Sequence, residues 1–132
     1  MKRYMLDTNT ISHFLKGHTK VTVRIVAVPM TSLCMSAITE GELLFGLAKR
    51  PEAKALHAAI RELLQRVDTL PWDSDAAECY GIVRAHLEKQ GRILAPLDLL
   101  IAAHALATHS ILVSNDQAFK HVQKLHLEDW TV

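Results

Sequence analysis

Two periods organise the apolar positions of this chain: runs of three or four consecutive apolar residues, and longer stretches in which apolar residues recur at helical spacing. Arg3 to Leu6 reads as a short strand that ends at Asp7. Thr8-Asn9-Thr10 behind it can cap a helix carrying Ile11, Phe14 and Leu15 up to Gly17. Leu33 to Ser36 has the length and content of a buried strand, and a helix follows from about Ala37 to Lys49, stopping before Pro51. The most regular helix predicted is 52–67, where Leu56, Ala59, Ile60, Leu63, Leu64 and Val67 form one stripe. A short strand at Thr69 to Trp72 precedes a helix over 74–90, with Ala76, Cys79, Tyr80, Val83 and Leu87 inward. Pro96 suits the first turn of a helix over 96–108, Ile111 to Ser114 reads as a buried strand, and Asp116 opens a further helix to about Lys124. Thr19 to Val28 is ambiguous: its β-branched residues alternate at 21, 23 and 25 as in a strand, and neither end carries a clear cap.

Strands separated by helices imply an α/β fold with a parallel sheet covered on both faces, and ligands of such folds bind at the carboxyl ends of the strands. Four acids fall there. Asp7 ends the first strand, Asp116 follows the strand at 111–114, Asp98 lies in the first turn of the helix at 96–108, and Glu42 sits on the helix after 33–36. Clustered carboxylates without a basic partner suit a hard cation such as Mg²⁺ or Mn²⁺, which can hold a phosphodiester and activate a water for in-line attack. Three of the four also have a local use: Asp7 and Asp116 can cap helices, and Asp98 favours a helix dipole. Glu42 competes with Glu40. With Ile38 as origin and ~100° per residue, Glu42 lies at about 40°, on the edge of the Ile38/Phe45 face, and Gly46 one turn on leaves space above it.

Composition narrows the classes. With 132 residues, 49% apolar and 22% charged, one domain over 1–132 is expected and disorder is excluded. The longest apolar stretch, Leu99 to Ala107, is nine residues and contains His104, too short for a membrane span. The start of the chain meets Asp7 too soon for a signal peptide, so a cytoplasmic protein is expected. Cys34 and Cys79 imply neither a disulfide framework nor a thiolate zinc site. The eight histidines show no zinc-binding spacing; His104 can line a cleft beside Asp98 or serve as a satisfied core or surface histidine. Trp72 and Trp130 read as core or interface residues. Fifteen basic side chains against 14 acidic ones give a net charge of +1, but with four acids neutralised by metal the balance becomes 15 against 10, a formal +5 that favours polyanions.

Four segments then carry a resemblance. Met5-Leu6-Asp7-Thr8-Asn9, Ile38-Thr39-Glu40-Gly41-Glu42-Leu43-Leu44-Phe45-Gly46, Pro96-Leu97-Asp98-Leu99-Leu100-Ile101-Ala102-Ala103-His104-Ala105 and Ser114-Asn115-Asp116-Gln117-Ala118-Phe119 resemble, in order and spacing, the PIN-domain nucleases. More narrowly the chain resembles the VapC toxins of bacterial type II toxin–antitoxin pairs. The resemblance implies an α/β/α sandwich around a five-stranded, mainly parallel sheet. It makes Asp7, Glu42, Asp98 and Asp116 the metal-binding, catalytic acids, with Thr8 and Asn115 in support, and it makes 19–28 helical against its local preference. It further implies a Mg²⁺- or Mn²⁺-dependent endoribonuclease, acting on RNA such as the anticodon loop of initiator tRNA, a homodimer, a VapB antitoxin, and operator DNA bound only through that antitoxin. Relatives often carry a further acid three residues after the Asp116 equivalent; Phe119 stands there in this chain. A phosphoacceptor receiver domain also gathers acids around Mg²⁺ at strand ends, but it needs a lysine after its last core strand, where this chain has Ser114-Asn115-Asp116.

Overall fold

The computed structural model describes residues 2–132. In chain order it contains β1 (Tyr4–Leu6), α1 (Thr8–Leu15), α2 (Thr19–Ala27), β2 (Leu33–Ser36), α3 (Ala37–Ala48), α4 (Lys54–Arg66), β3 (Asp68–Leu70), α5 (Ser74–Lys89), α6 (Pro96–Ala107), β4 (Ile111–Val113) and β5 (Leu127–Glu128). The strands form one sheet in the order β3-β2-β1-β4-β5, and every pairing is parallel. The register sets Met5 beside Cys34 on one side and beside Leu112 on the other.

Because strand side chains alternate between faces, neighbouring strand residues feed two separate cores. Leu6, Leu33, Met35 and Val113 join Ile11, Val21, Ile25, Leu43, Leu47, Ile60 and Leu63 on the face covered by α1 to α4. Met5, Cys34 and Leu112 join Val83, Leu87, Leu99, Ala102 and Phe119 on the face covered by α5 and α6. The result is the expected α/β/α sandwich. Strands buried on both faces favour apolar residues on both, which is why Leu33, Cys34 and Met35 form an unbroken apolar run; the polar Ser36 that ends β2 is buried as well.

Two segments depart from their local patterns. Residues 19–27 form a helix, not a strand: Val21 and Ile25, one turn apart, are buried, while Val23 and Val26 point outward. Burial at that spacing outweighs the modest helical penalty of β-branched residues. The helix expected over 116–124 is instead a single 3₁₀ stretch, Gln117–His121. Phe119 and Val122 drop into the core three residues apart, and Lys124 takes a positive φ of 68° that turns the chain into β5. β5 has only two residues, too short to leave a periodic signal. Among the described residues no helix is long and apolar enough to cross a membrane.

Candidate metal centre

Strand order reverses at β1: the chain moves outward through β2 and β3, then returns to place β4 on the other side of β1. In an open parallel sheet the crevice beyond the carboxyl ends of the strands at such a reversal is where ligands bind. Asp7 stands at the mouth of that crevice. Its backbone amide donates to the Val113 carbonyl at 3.2 Å, and the Thr10 hydroxyl donates to the same carbonyl at 2.9 Å, so the start of α1 is stitched to the end of β4. Asp7 Oδ1 accepts from the Thr10 amide at 2.7 Å and caps α1. Burial pushes the Asp7 carboxyl up; the Ser114 hydroxyl and the Thr10 groups oppose the shift, and the Asp116 charge adds to it.

Across the crevice, Asp116 is held by a tight turn. Its amide donates to Ser114 Oγ at 3.0 Å, and its Oδ1 accepts from the Ala118 amide at 2.9 Å. The capping uses suggested by sequence are therefore real for Asp7 and Asp116, but each cap engages Oδ1. Asp98 occupies the first turn of α6, half-buried, with a carboxyl pushed up to about 6. Burial is the main cause, followed by the charges of Asp116, Asp7 and Glu42. The other three acids thus lie within electrostatic reach of Asp98, and Asp116 within reach of Asp7. Glu42 rather than Glu40 belongs to the group: the Thr8 hydroxyl donates to Glu42 Oε1 at 2.6 Å, whereas Glu40 is absent from the charges acting on Asp98. A Cβ added at Gly46 would meet nothing within 4 Å, but the same holds at the other glycines, so the space there does not single out Glu42.

Among the described residues no Lys or Arg forms an ion pair with these carboxylates. The ion pairs among the described residues engage Asp68, Glu128, Glu62 and Glu88. An all-oxygen donor set of four acids without a cationic partner fits a hard divalent cation. Among the described residues, however, no three His, Cys, Asp or Glu side chains are gathered closely enough to hold a metal ion.

Sequence reasoning missed two neighbours. Ser114 touches the backbone of Asp116 and faces Asp7; its position directly after a buried strand is the signal that could have found it. His13 lies 3.4 Å from Asn115 Nδ2, so the contact made by Asn115 is with a ring nitrogen and not with a carboxylate. His104 does not line the crevice: it is 1% exposed, with Nδ1 2.7 Å from Ser36 Oγ, and its Nε2 has no hydrogen-bond partner. Trp130 is buried core, and Trp72 is half-buried with its ring N–H donated to the Leu100 carbonyl.

An α/β/α sandwich with an acid-lined crevice at its topological switch point defines the class, and comparison with known proteins agrees. The PIN domain family model matches residues 4–125, and the chain belongs to that family. Within it the chain falls among the VapC ribonucleases. It is 33% identical to the tRNA(fMet)-specific endonuclease VapC of Shigella flexneri, over 99% of this chain and 100% of that one. Among solved structures it is similar to DNA-bound VapBC from Salmonella typhimurium, with a TM-score of 0.91, 30% identity, and coverage of 98% of this chain and 99% of that one. It also resembles VapBC2 from Rickettsia felis bound to a DNA fragment from their promoter, with a TM-score of 0.87 and 30% identity over 96% of this chain and 98% of that one. A receiver-type domain is set aside by the same matches.

Proposed function

We propose that this protein is the toxin of a type II toxin–antitoxin pair, a Mg²⁺- or Mn²⁺-dependent endoribonuclease whose site is Asp7, Glu42, Asp98 and Asp116. The observation that carries the reading is the Asp98 carboxyl, held near 6 by burial and by three neighbouring acids, with no Lys or Arg among the described residues in an ion pair with them. Such a group is costly unless a cation shares it. These four carboxylates would hold a divalent ion, which would supply Lewis acidity and activate a water for attack. The chain's own residues orient that chemistry. Thr8 fixes the rotamer of Glu42, the Thr10 amide and Ser114 hydroxyl fix Asp7, and the turn at Ser114 to Ala118 aims Asp116. The products expected are a 5′-phosphate and a 3′-hydroxyl, with no part played by the substrate 2′-hydroxyl.

The substrate proposed is structured RNA, and transfer RNA in particular, with the initiator tRNA anticodon loop as its cut site; the name of the Shigella flexneri relative supports this. Loops expose backbone and splayed bases that a shallow rim can reach. A VapB-type antitoxin partner and promoter DNA reached through it are supported by the VapBC neighbours. We place the protein in the bacterial cytoplasm as a homodimer. Sequencing the RNA ends released by the purified chain, with and without Mg²⁺, tests the reading. Metal-dependent cuts bearing 5′-phosphates in tRNA support it, and ends bearing 2′,3′-cyclic phosphates overturn it.

A further inference from the structure

Ser36 and His104 join the two helices that carry Glu42 and Asp98. Ser36 is the last residue of β2 and fully buried; its Oγ accepts from the Ile38 amide at 3.1 Å and caps α3, the helix of Glu42. His104 lies on α6, six residues beyond Asp98, with Nδ1 2.7 Å from the same Oγ. One lone pair of the serine oxygen is taken by the Ile38 amide. The hydroxyl and Nδ1 share one hydrogen bond, whose direction follows the tautomer of the ring. Burial disfavours the charged ring, opposed by the charge of Asp73 and by the Pro71 carbonyl nearby.

Nε2 is enclosed and has no partner at full hydrogen-bond geometry, although the Pro71 carbonyl bonds the ring weakly, so the histidine keeps its buried place at a cost that an apolar side chain of similar size would not carry. We infer that Ser36 and His104 are positioning residues: their buried hydrogen bond holds the cap of α3 against α6 and thereby sets the separation of the Glu42 and Asp98 carboxylates. Metal sites commonly depend on such supporting bonds, whose loss costs about 10–100-fold in metal affinity or activity.

The inference rests on the metal-site reading above, and direct Mn²⁺ titration of the purified full chain, followed by electron paramagnetic resonance, separates the two. His104→Leu keeps the volume and removes the hydrogen-bonding ring; it should weaken Mn²⁺ binding about tenfold with little change in Tm. His104→Asn keeps a hydrogen-bonding group where Nδ1 stands and loses bulk; it should lower Tm yet bind Mn²⁺ within about twofold of the wild type. Ser36→Ala should weaken binding as much as His104→Leu, and the double variant should be no worse than either. Wild-type affinity in His104→Leu and Ser36→Ala, or affinities that simply follow Tm through the series, would overturn the inference while leaving the metal site intact. A wild type that binds no Mn²⁺ would overturn both.

Discussion

The Thr8 hydroxyl donates to Glu42 Oε1 at 2.6 Å, across 34 residues of chain, and this bond ties the first turn of α1 to the middle of α3. Thr8 follows Asp7 directly, so one dipeptide supplies a carboxylate and also orients its opposite. Thr8→Val keeps the shape and removes the donor. It should reduce RNA cleavage about 10–100-fold and raise the Mg²⁺ concentration for half-maximal rate, with Thr8→Ser restoring most of both. Initial rates against Mg²⁺ concentration check this; equal rates for Val and wild type would show that Glu42 needs no such support.

Asp7→Asn and Asp98→Asn keep shape and lose charge. Each should lower cleavage by at least about 10²–10³-fold, the loss typical when one preorganised electrostatic group is removed, and each should relieve growth arrest on expression in bacteria. Circular dichroism spectra matching the wild type would show that the fold persists.

Glu42→Gln should be far more damaging than Glu40→Gln. Both carboxylates lie on α3, but only Glu42 meets Thr8 and contributes to the field at Asp98. Cleavage assays on the two variants decide it, and the reverse order would reassign the ligand.

Stability should fall as pH rises. The folded-state carboxyl of Asp98 lies near 6 against 3.8 for an ordinary aspartate, so between these values the native state holds more protons than the unfolded chain. The slope of unfolding free energy with pH is then negative, and metal-free protein should lose stability from about pH 4 to pH 6 through this group. For a half-exposed side chain screened by solvent the loss is on the order of 1 kcal/mol. Asp98→Asn should flatten this portion of the curve. Chemical denaturation in EDTA at several pH values, wild type against variant, measures the difference.

Divalent metal should reverse that cost. A cation that binds only the folded chain stabilises it by RT ln(1 + [L]/Kd), about 2.7 kcal/mol at a hundred times Kd. Thermal melts should therefore shift upward with Mg²⁺ or Mn²⁺ in the wild type and much less in Asp98→Asn. A wild type indifferent to both ions would contradict the metal site.

Much of this was legible in the chain alone. Strands buried on both faces are largely apolar, so the strands read at Leu33 to Ser36 and Ile111 to Ser114 announce themselves, the second ending one residue earlier in the structure, and the stripe from Leu56 to Val67 must face a core; these are local consequences of burial and period. Asp7, Asp98 and Asp116 could be picked out because strand ends and first helical turns are fixed by the same local rules. What the sequence could not decide depended on partners distant along the chain. Residues 19–27 became a helix because α1, α3 and α4 offered a pocket for Val21 and Ile25 one turn apart, against the preference of their own backbone. The helix expected after Asp116 gave way to a 3₁₀ turn because the sheet needed β5 beside β4, with Leu112 beside Leu127. Thr8 met Glu42 at 2.6 Å only through folding, a contact that favours Glu42 over Glu40, and His104 met Ser36 across 68 residues. Periodicity specifies which face of an element is buried; which side chains then meet is set by how the elements pack, and the hydrogen bonds that shape this crevice arise there.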